Sequence, residues 1–371
     1  MLKMENIKFY NFDPEKIKIA NILHIGRSSS IFFQGLLEGH PEIITIVGHF
    51  YPEERDIKLK NLEIITENIY KKLRIYIQPY IKSLDIENKI PKKEFKKYLL
   101  EYLKTFGVST KTLLIGIYYS YAKISDRDLS KIRYILLGSH DLITFLRSLK
   151  DFKDQKIFFT TRDPRANYLS YKKKGYLLFG LGFTYNHYLF LKRLIKNKFK
   201  VFVVKHEILH KDYKILKKEI ISFLKIKYSK EIESCTFFNL PYDGSEWKSS
   251  TRGLTSIIPN KKFVEENWKF ELTSYELIFI QFIFSDMMKY FDYKKESPYK
   301  NIYIRTLGND FRNLSIENIK KYQGINKLIL EFCRKIYFIP LLGLFIIKVV
   351  FLSYHCYQII KIYFKTKFKK I

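Results

Sequence analysis

Between Ile19 and Glu42 the chain reads IANILHIGRSSSIFFQGLLEGHPE, and no other stretch constrains the fold as much. Ile19 to Ile25 is apolar apart from Asn21 and His24, is short, and stops at Gly26. That pattern predicts a buried strand. Gly26-Arg27-Ser28-Ser29-Ser30 is a compact polar turn. Phe32, Phe33, Leu36 and Leu37 then fall at helical spacing, Gly39 stands where a left-handed cap is expected, and Pro41 lies just beyond. A strand, a tight loop and a helix in that order aim several backbone N–H groups at one spot, and the helix dipole favours an anion there. Three serine hydroxyls can add donors, and Arg27 adds a fixed charge on a planar fork. The loop of ATP and GTP enzymes needs a second glycine followed by Lys and then Ser or Thr. Neither that glycine nor that lysine is present.

The rest of the chain alternates strand and helix patterns. Tyr134 to Leu137, Lys156 to Thr161 and Lys200 to Lys205 are short strand candidates. Such alternation predicts an α/β fold with a central parallel sheet and right-handed crossovers. From Glu42 to about Tyr134 the pattern is mostly helical. Leu62, Ile65, Ile69, Leu73 and Ile77 form one stripe; Phe95, Tyr98, Leu99, Tyr102, Leu103 and Phe106 form another, with Pro91 and Gly107 bounding the second. An insert of this size exceeds the dozen or so residues a minimal crossover needs. Asp141 can cap a helix over Leu142 to Leu149, and Asp163 one that starts at Pro164 and stops at Gly175. Tyr213 to Leu224 reads as a basic amphipathic helix, and Trp268 to Tyr293 is again helical. The expected organisation is a lead-in over 1–18, a main domain over 19–300 with a helical insert at about 50–130, and a helical extension over 301–371.

The 371 residues can bury a large core, and 47% hydrophobic content excludes a disordered chain. The net charge of +30 admits nucleic acid, anionic lipid or a polyanionic ligand. The excess is mostly Lys spread among Ile, Tyr, Phe and Asn, a mix that an AT-rich genome also yields, so it counts for little alone. Cys235, Cys333 and Cys356 are far apart with no C-x-x-C, so neither a disulfide framework nor a metal site is expected. No basic region followed by an apolar run opens the chain, so a cytoplasmic location is expected.

A second constellation follows the third strand candidate. Arg162-Asp163-Pro164-Arg165 leaves the strand's end, the edge at which α/β sheets place ligands, and Ser170 follows eight residues after Arg162 on the helix face shared with Asn167. A phosphate could lie between guanidinium and hydroxyl, although Arg-Asp-Pro at a strand end also marks an ordinary capped helix.

Together these motifs resemble the PAPS-dependent sulfotransferases, particularly the bacterial and Golgi-type members. The first loop resembles that family's 5′-phosphosulfate loop, through Arg27-Ser28-Ser29-Ser30 and the following Leu36-Leu37-Glu38-Gly39-His40-Pro41. Ser29 stands where the family usually has Gly. Arg162-Asp163-Pro164-Arg165 with Ser170 resembles its 3′-phosphate motif. Softer matches are His206-Glu207-Ile208-Leu209 through Phe223-Leu224, then Trp247, Ser249, Ser250, Arg252, Gly253 and Trp268. The resemblance covers roughly 19–293, discontinuously. It implies a P-loop-like three-layer fold, PAPS as co-substrate with Gly26, Arg27, Ser28, Ser29, Ser30, Arg162, Ser170 and Arg252 holding it, and no metal.

The implied reaction moves a sulfuryl group to an acceptor hydroxyl, with Arg27 at the leaving phosphate oxygen and a general base at the acceptor. Two histidines compete for that base. His140 follows a strand 22 residues before Arg162, as the catalytic histidine of the cytosolic branch does; His49 lies 22 residues after Arg27, near a catalytic glutamate of other branches, with Glu53 and Glu54 close by. His24 and His40 read as structural. The acceptor expected is a glycan or glycolipid. In the extension, Ile336 to Ile347 is an apolar run, and Lys361, Lys365, Lys367, Lys369 and Lys370 follow among aromatics. That pairing suits peripheral contact with an anionic membrane face. The rival readings are a nucleic-acid- or anion-binding protein, which no helix-turn-helix, finger or RNP signature supports, and a catalytically silent sulfotransferase-like protein.

Overall fold

The computed structural model describes residues 12–59, 61–78, 85–175, 177–241 and 258–296. Arg252, with Trp247, Ser249, Ser250 and Gly253, and the extension from Ile336 onward lie outside the described residues. In chain order the elements are β1 (Lys18–His24), α1 (Ser30–Glu38), β2 (Ile43–Thr45), α2 (Glu54–Ile57), α3 (Leu62–Ile77), α4 (Ile86–Lys89), α5 (Lys92–Phe106), α6 (Thr110–Ile124), β3 (Tyr134–Ser139), α7 (Leu142–Asp151), β4 (Lys156–Thr161), α8 (Pro164–Lys174), α9 (Leu177–Lys196), β5 (Val201–Lys205), α10 (His206–Lys211), α11 (Tyr213–Leu224), β6 (Thr236–Phe237), β7 (Leu240–Pro241), α12 (Trp268–Glu271), α13 (Ser274–Ile283) and α14 (Ser285–Tyr290).

The chain divides into two compact units. One holds Ser29–Thr161 with the described parts of Met1–His24 and Asn197–Val264. The other holds Ile25–Ser28 and Arg162–Lys196 with the described part of Glu265–Ile371.

The first unit is built on a five-stranded sheet in the order β2-β3-β1-β4-β5, parallel throughout. Tyr134 to Ser139 are buried without interruption, and β1 is buried after its first residue. Side chains on both pleat faces are therefore covered, as in a three-layer α/β fold. Among the described residues five helices, α2 to α6, intervene between the adjacent strands β2 and β3. The hydrophobic stripes of α3 and α5 are the faces that bury: Ile65, Ile69, Leu73 and Ile77 on one, Phe95, Leu99 and Leu103 on the other, each at most 1% exposed.

Local chemistry sets the element ends. Asp141 accepts from Thr144 N at 2.8 Å and caps α7. Asp163 accepts from Arg165 N at 2.9 Å and caps α8, Pro164 occupies its first turn, and Gly175 ends it in the left-handed region. Gly39 differs from expectation: its φ of −68° keeps it right-handed, and its N–H returns to the Leu37 carbonyl. Three features escape the sequence patterns: β2, whose three residues are too few for a period; the hairpin of β6 and β7; and the apolar 20-residue helix α9.

Asn21, polar in a buried strand, is explained by a network across the sheet. It donates to Ser148 Oγ at 3.0 Å and accepts from Ser139 Oγ at 2.8 Å, and Ser148 in turn donates to Gln155 Oε1 at 3.2 Å. Buried polar groups satisfied in this way fix register. Beside it, Phe158 of β4 packs its ring within 5.1–5.9 Å of Phe33, Phe202 and Phe223. Phe158→Ala should destabilise the protein by about 3–5 kcal/mol in urea unfolding, since it removes transfer energy and leaves a cavity. A loss below about 1 kcal/mol would mean that this cluster is not the core of the unit.

Candidate functional site

The loop between β1 and α1 departs from ordinary backbone. Arg27 and Ser29 both take positive φ, 65° and 61°, where a side chain costs about 1–2 kcal/mol.

In the second unit, α8 and the residues before it hold Gly26 and Arg27 from three directions. Asn167 Nδ2 donates to the Gly26 carbonyl at 2.6 Å, Arg162 Nη1 to the Arg27 carbonyl at 3.4 Å, and Arg27 Nε to Ser170 Oγ at 2.9 Å. Thr184 of α9 donates to Asn167 Oδ1 at 3.1 Å, which settles the orientation of that amide. Gly26 also lies close under Tyr171: a Cβ there would come within 2.3 Å of the Tyr171 hydroxyl, which would have to shift. Thus Arg27 and Ser170, 143 residues apart, meet side chain to side chain. Arg165 does something else. Its guanidinium forms a fork onto Asp163 (Nε–Oδ1 2.9 Å, Nη2–Oδ2 2.7 Å) and lies 3.8 Å from the centre of the Trp268 ring. Buried to 3% exposure, it locks the helix start instead of facing a ligand.

In the first unit, Ser29 Oγ lies 2.8 Å from His206 Nδ1 and 3.4 Å from His210 Nε2, both on α10. His210 Nδ1 accepts from Asn260 N at 3.3 Å, and its ring stacks on Phe32. The sequence pattern had not linked this pair to Ser29. It accounts for a serine at a left-handed position: the hydroxyl gains partners that a glycine would lack. Ser28 and Ser30 are buried.

The same unit gathers the two competing histidines, with a third. His24, His49 and His140 have ring centroids 4.9, 5.1 and 5.3 Å apart. His24 is the last residue of β1 and His140 directly follows β3, beside the Ser139–Asn21 bond. His49 follows a segment tied down by Gln34 of α1, which donates to Thr45 Oγ1 at 2.7 Å and the Ile46 carbonyl at 3.1 Å and accepts from Gly48 N at 3.4 Å. Glycine at 138 leaves room for the His49 ring, since a Cβ there would lie 2.6 Å from Nδ1. Desolvation first, and then the neighbouring His140, lower the His49 pKa to about 3, against a backbone bond at Gly138 that raises it. Desolvation also lowers that of His140, with the Asp141 charge opposing. His140 is exposed, and its ring packs beside the two other imidazoles.

The carboxylates near His49 are engaged elsewhere. Glu53 pairs with Arg147 at 3.1 Å and with Arg55, and Glu54 with Lys150 at 3.5 Å. His40 is structural, its Nε2 2.8 Å from the Lys227 carbonyl and its Nδ1 accepting from Glu42 N.

No protein-family model matches the chain, and no curated protein matches it. Among solved structures it is similar to two sulfotransferase domains. One is from the Synechococcus PCC 7002 olefin synthase: 16% identity, 69% of this chain and 88% of that chain covered, TM-score 0.38. The other is from the curacin biosynthetic pathway: 14% identity, 68% and 87% covered, TM-score 0.34. At such values the likeness adds no weight to the residue-level geometry.

Position 29 gives a direct stability test. Ser29→Ala keeps the left-handed strain and loses the His206 partner, whereas Ser29→Gly relieves the strain. In urea unfolding the alanine variant should be less stable than the glycine variant by about 1 kcal/mol. The reverse order would show that Ser29 is not held left-handed.

Proposed function

We propose that the protein is a PAPS-dependent sulfotransferase that moves a sulfuryl group from 3′-phosphoadenosine 5′-phosphosulfate to an acceptor hydroxyl. The observation that carries the reading is the Arg27 Nε–Ser170 Oγ bond at 2.9 Å. It joins the two sequence motifs that resemble the family's 5′- and 3′-phosphate sites. Each alone could be an ordinary loop or cap; their meeting gives both a common purpose. Arg162, reaching the Arg27 carbonyl, belongs to the same group of cations.

In this reading Gly26, Arg27, Ser28, Ser29 and Ser30 receive the 5′-phosphosulfate, and Arg162 and Ser170 the 3′-phosphate. Arg252 is proposed to close over the nucleotide. The acceptor oxygen attacks sulfur, the bond from sulfur to the bridging phosphate oxygen breaks, and adenosine 3′,5′-bisphosphate leaves. Negative charge grows on that bridging oxygen, where preorganised donors have their largest effect. Arg27 and the loop N–H groups supply them. The acceptor proton goes to a neutral imidazole. His140 is the proposed base, because it is exposed whereas His49 is half-buried. A carbohydrate or glycolipid hydroxyl is the proposed acceptor, on the family resemblance. Among the described residues no helix is long and apolar enough to cross a membrane.

The experiment is transfer from labelled PAPS to a panel of glycans and simple alcohols. Wild-type protein should label at least one acceptor, and His140→Ala should lower turnover by about 10² or more while adenosine 3′,5′-bisphosphate still binds. Full activity of His140→Ala beside a dead His49→Ala would move the base to His49. Absence of transfer to any acceptor, with the bisphosphate bound normally, would favour a silent relative.

A further inference from the structure

The geometry points to a metal site: we propose that His24, His49 and His140 bind one divalent transition-metal ion of the zinc class through three imidazole nitrogens. The residues arrive from three neighbouring strands, since the sheet order sets β2, β3 and β1 side by side. Parallel strands deliver their C-terminal ends to one edge, so His24, His140 and the segment leading to His49 converge by topology.

Distances carry the argument. One ligand nitrogen from each residue lies within 4.8 Å of the other two. Three imidazoles bound to one tetrahedral ion through bonds of about 2.0–2.1 Å set their ring centroids about 5.2 Å apart. The observed centroid separations are 4.9, 5.1 and 5.3 Å, a nearly equilateral triangle of the required size. The nitrogens, within 4.8 Å of one another, need to approach to about 3.4 Å, which requires the rings to turn inward on binding.

The surroundings agree. Gly138 provides the clearance that the His49 ring occupies, and Gln34 fixes the segment before it. Three neutral nitrogens suit zinc, cobalt or nickel, whereas magnesium and calcium require oxygen ligands. A tetrahedral ion would keep a fourth position open for water or another ligand. Sequence spacing hid the site, because it holds no C-x-x-C or H-x-x-x-H and its three members are 25 and 91 residues apart in turn. An ion here takes up the His140 lone pair, so the metal-bound state and the base-competent state exclude each other. The proposal does not depend on the sulfuryl donor, and its test uses neither PAPS nor turnover.

Calorimetric titration of the full chain with Zn²⁺ in the presence of excess Mg²⁺ should give one tight site. Co²⁺ should give the intense visible absorption of a four-coordinate ion, and Zn²⁺ should bleach it. His140→Ala, at an exposed position where folding is retained, should weaken Zn²⁺ affinity at least about tenfold. His49→Ala should do the same, with circular dichroism as the check on its fold. The proposal is overturned if no stoichiometric Zn²⁺ binds, if Mg²⁺ displaces it, or if His140→Ala binds Zn²⁺ as tightly as wild type.

Discussion

The hold of α8 on Gly26 and Arg27 is the constraint on which the rest depends. A five-residue loop with two left-handed side-chain-bearing residues does not keep its shape unaided. Asn167 and Arg162 take the carbonyls of Gly26 and Arg27, and Ser170 takes the Arg27 side chain. With those carbonyls held, the backbone at Gly26 and Arg27 is fixed. Arg165 supports this indirectly. Its fork onto Asp163 and its stacking on Trp268 fix the helix start from which Asn167 and Ser170 project.

The first unit applies the same economy to histidines. Three strand ends bring imidazoles together, and two more on α10 meet Ser29. Desolvation lowers the pKa of His49 and His140, and a neutral imidazole can accept a proton or ligate a metal. Which of these it does is a matter of what else is bound. A base and a metal ligand draw on one lone pair, so the two proposed roles of the cluster exclude each other.

Much of the fold was legible in the sequence because local rules agreed. KIFFTT followed by RDPR and ending at Gly175 specifies a strand, a capped helix and its stop, and each falls where the pattern placed it. The strand and helix on either side of Gly26-Arg27-Ser28-Ser29 were legible for the same reason. Less legible was whatever depends on distant residues. The sequence offered His49 and His140 as rivals and set His24 aside as structural; the sheet order makes them neighbours, and no local pattern encodes sheet order. Likewise Ser29 in place of glycine is a departure until His206, 177 residues later, supplies its partner. The second arginine of the RDPR motif has its role set by Trp268, again far along the chain.

The account's central claim is that Arg27, Arg162 and Ser170 form one receptor for a nucleotide phosphorylated at both 3′ and 5′ positions. Isothermal titration of the full chain with adenosine 3′,5′-bisphosphate and with 5′-AMP tests this most directly. The account predicts that the bisphosphate binds at least about tenfold more tightly, since the 3′-phosphate gains charge-assisted bonds, and that Ser170→Ala removes much of that difference. Equal affinity for the two nucleotides, or a preference untouched by Ser170→Ala, would contradict it.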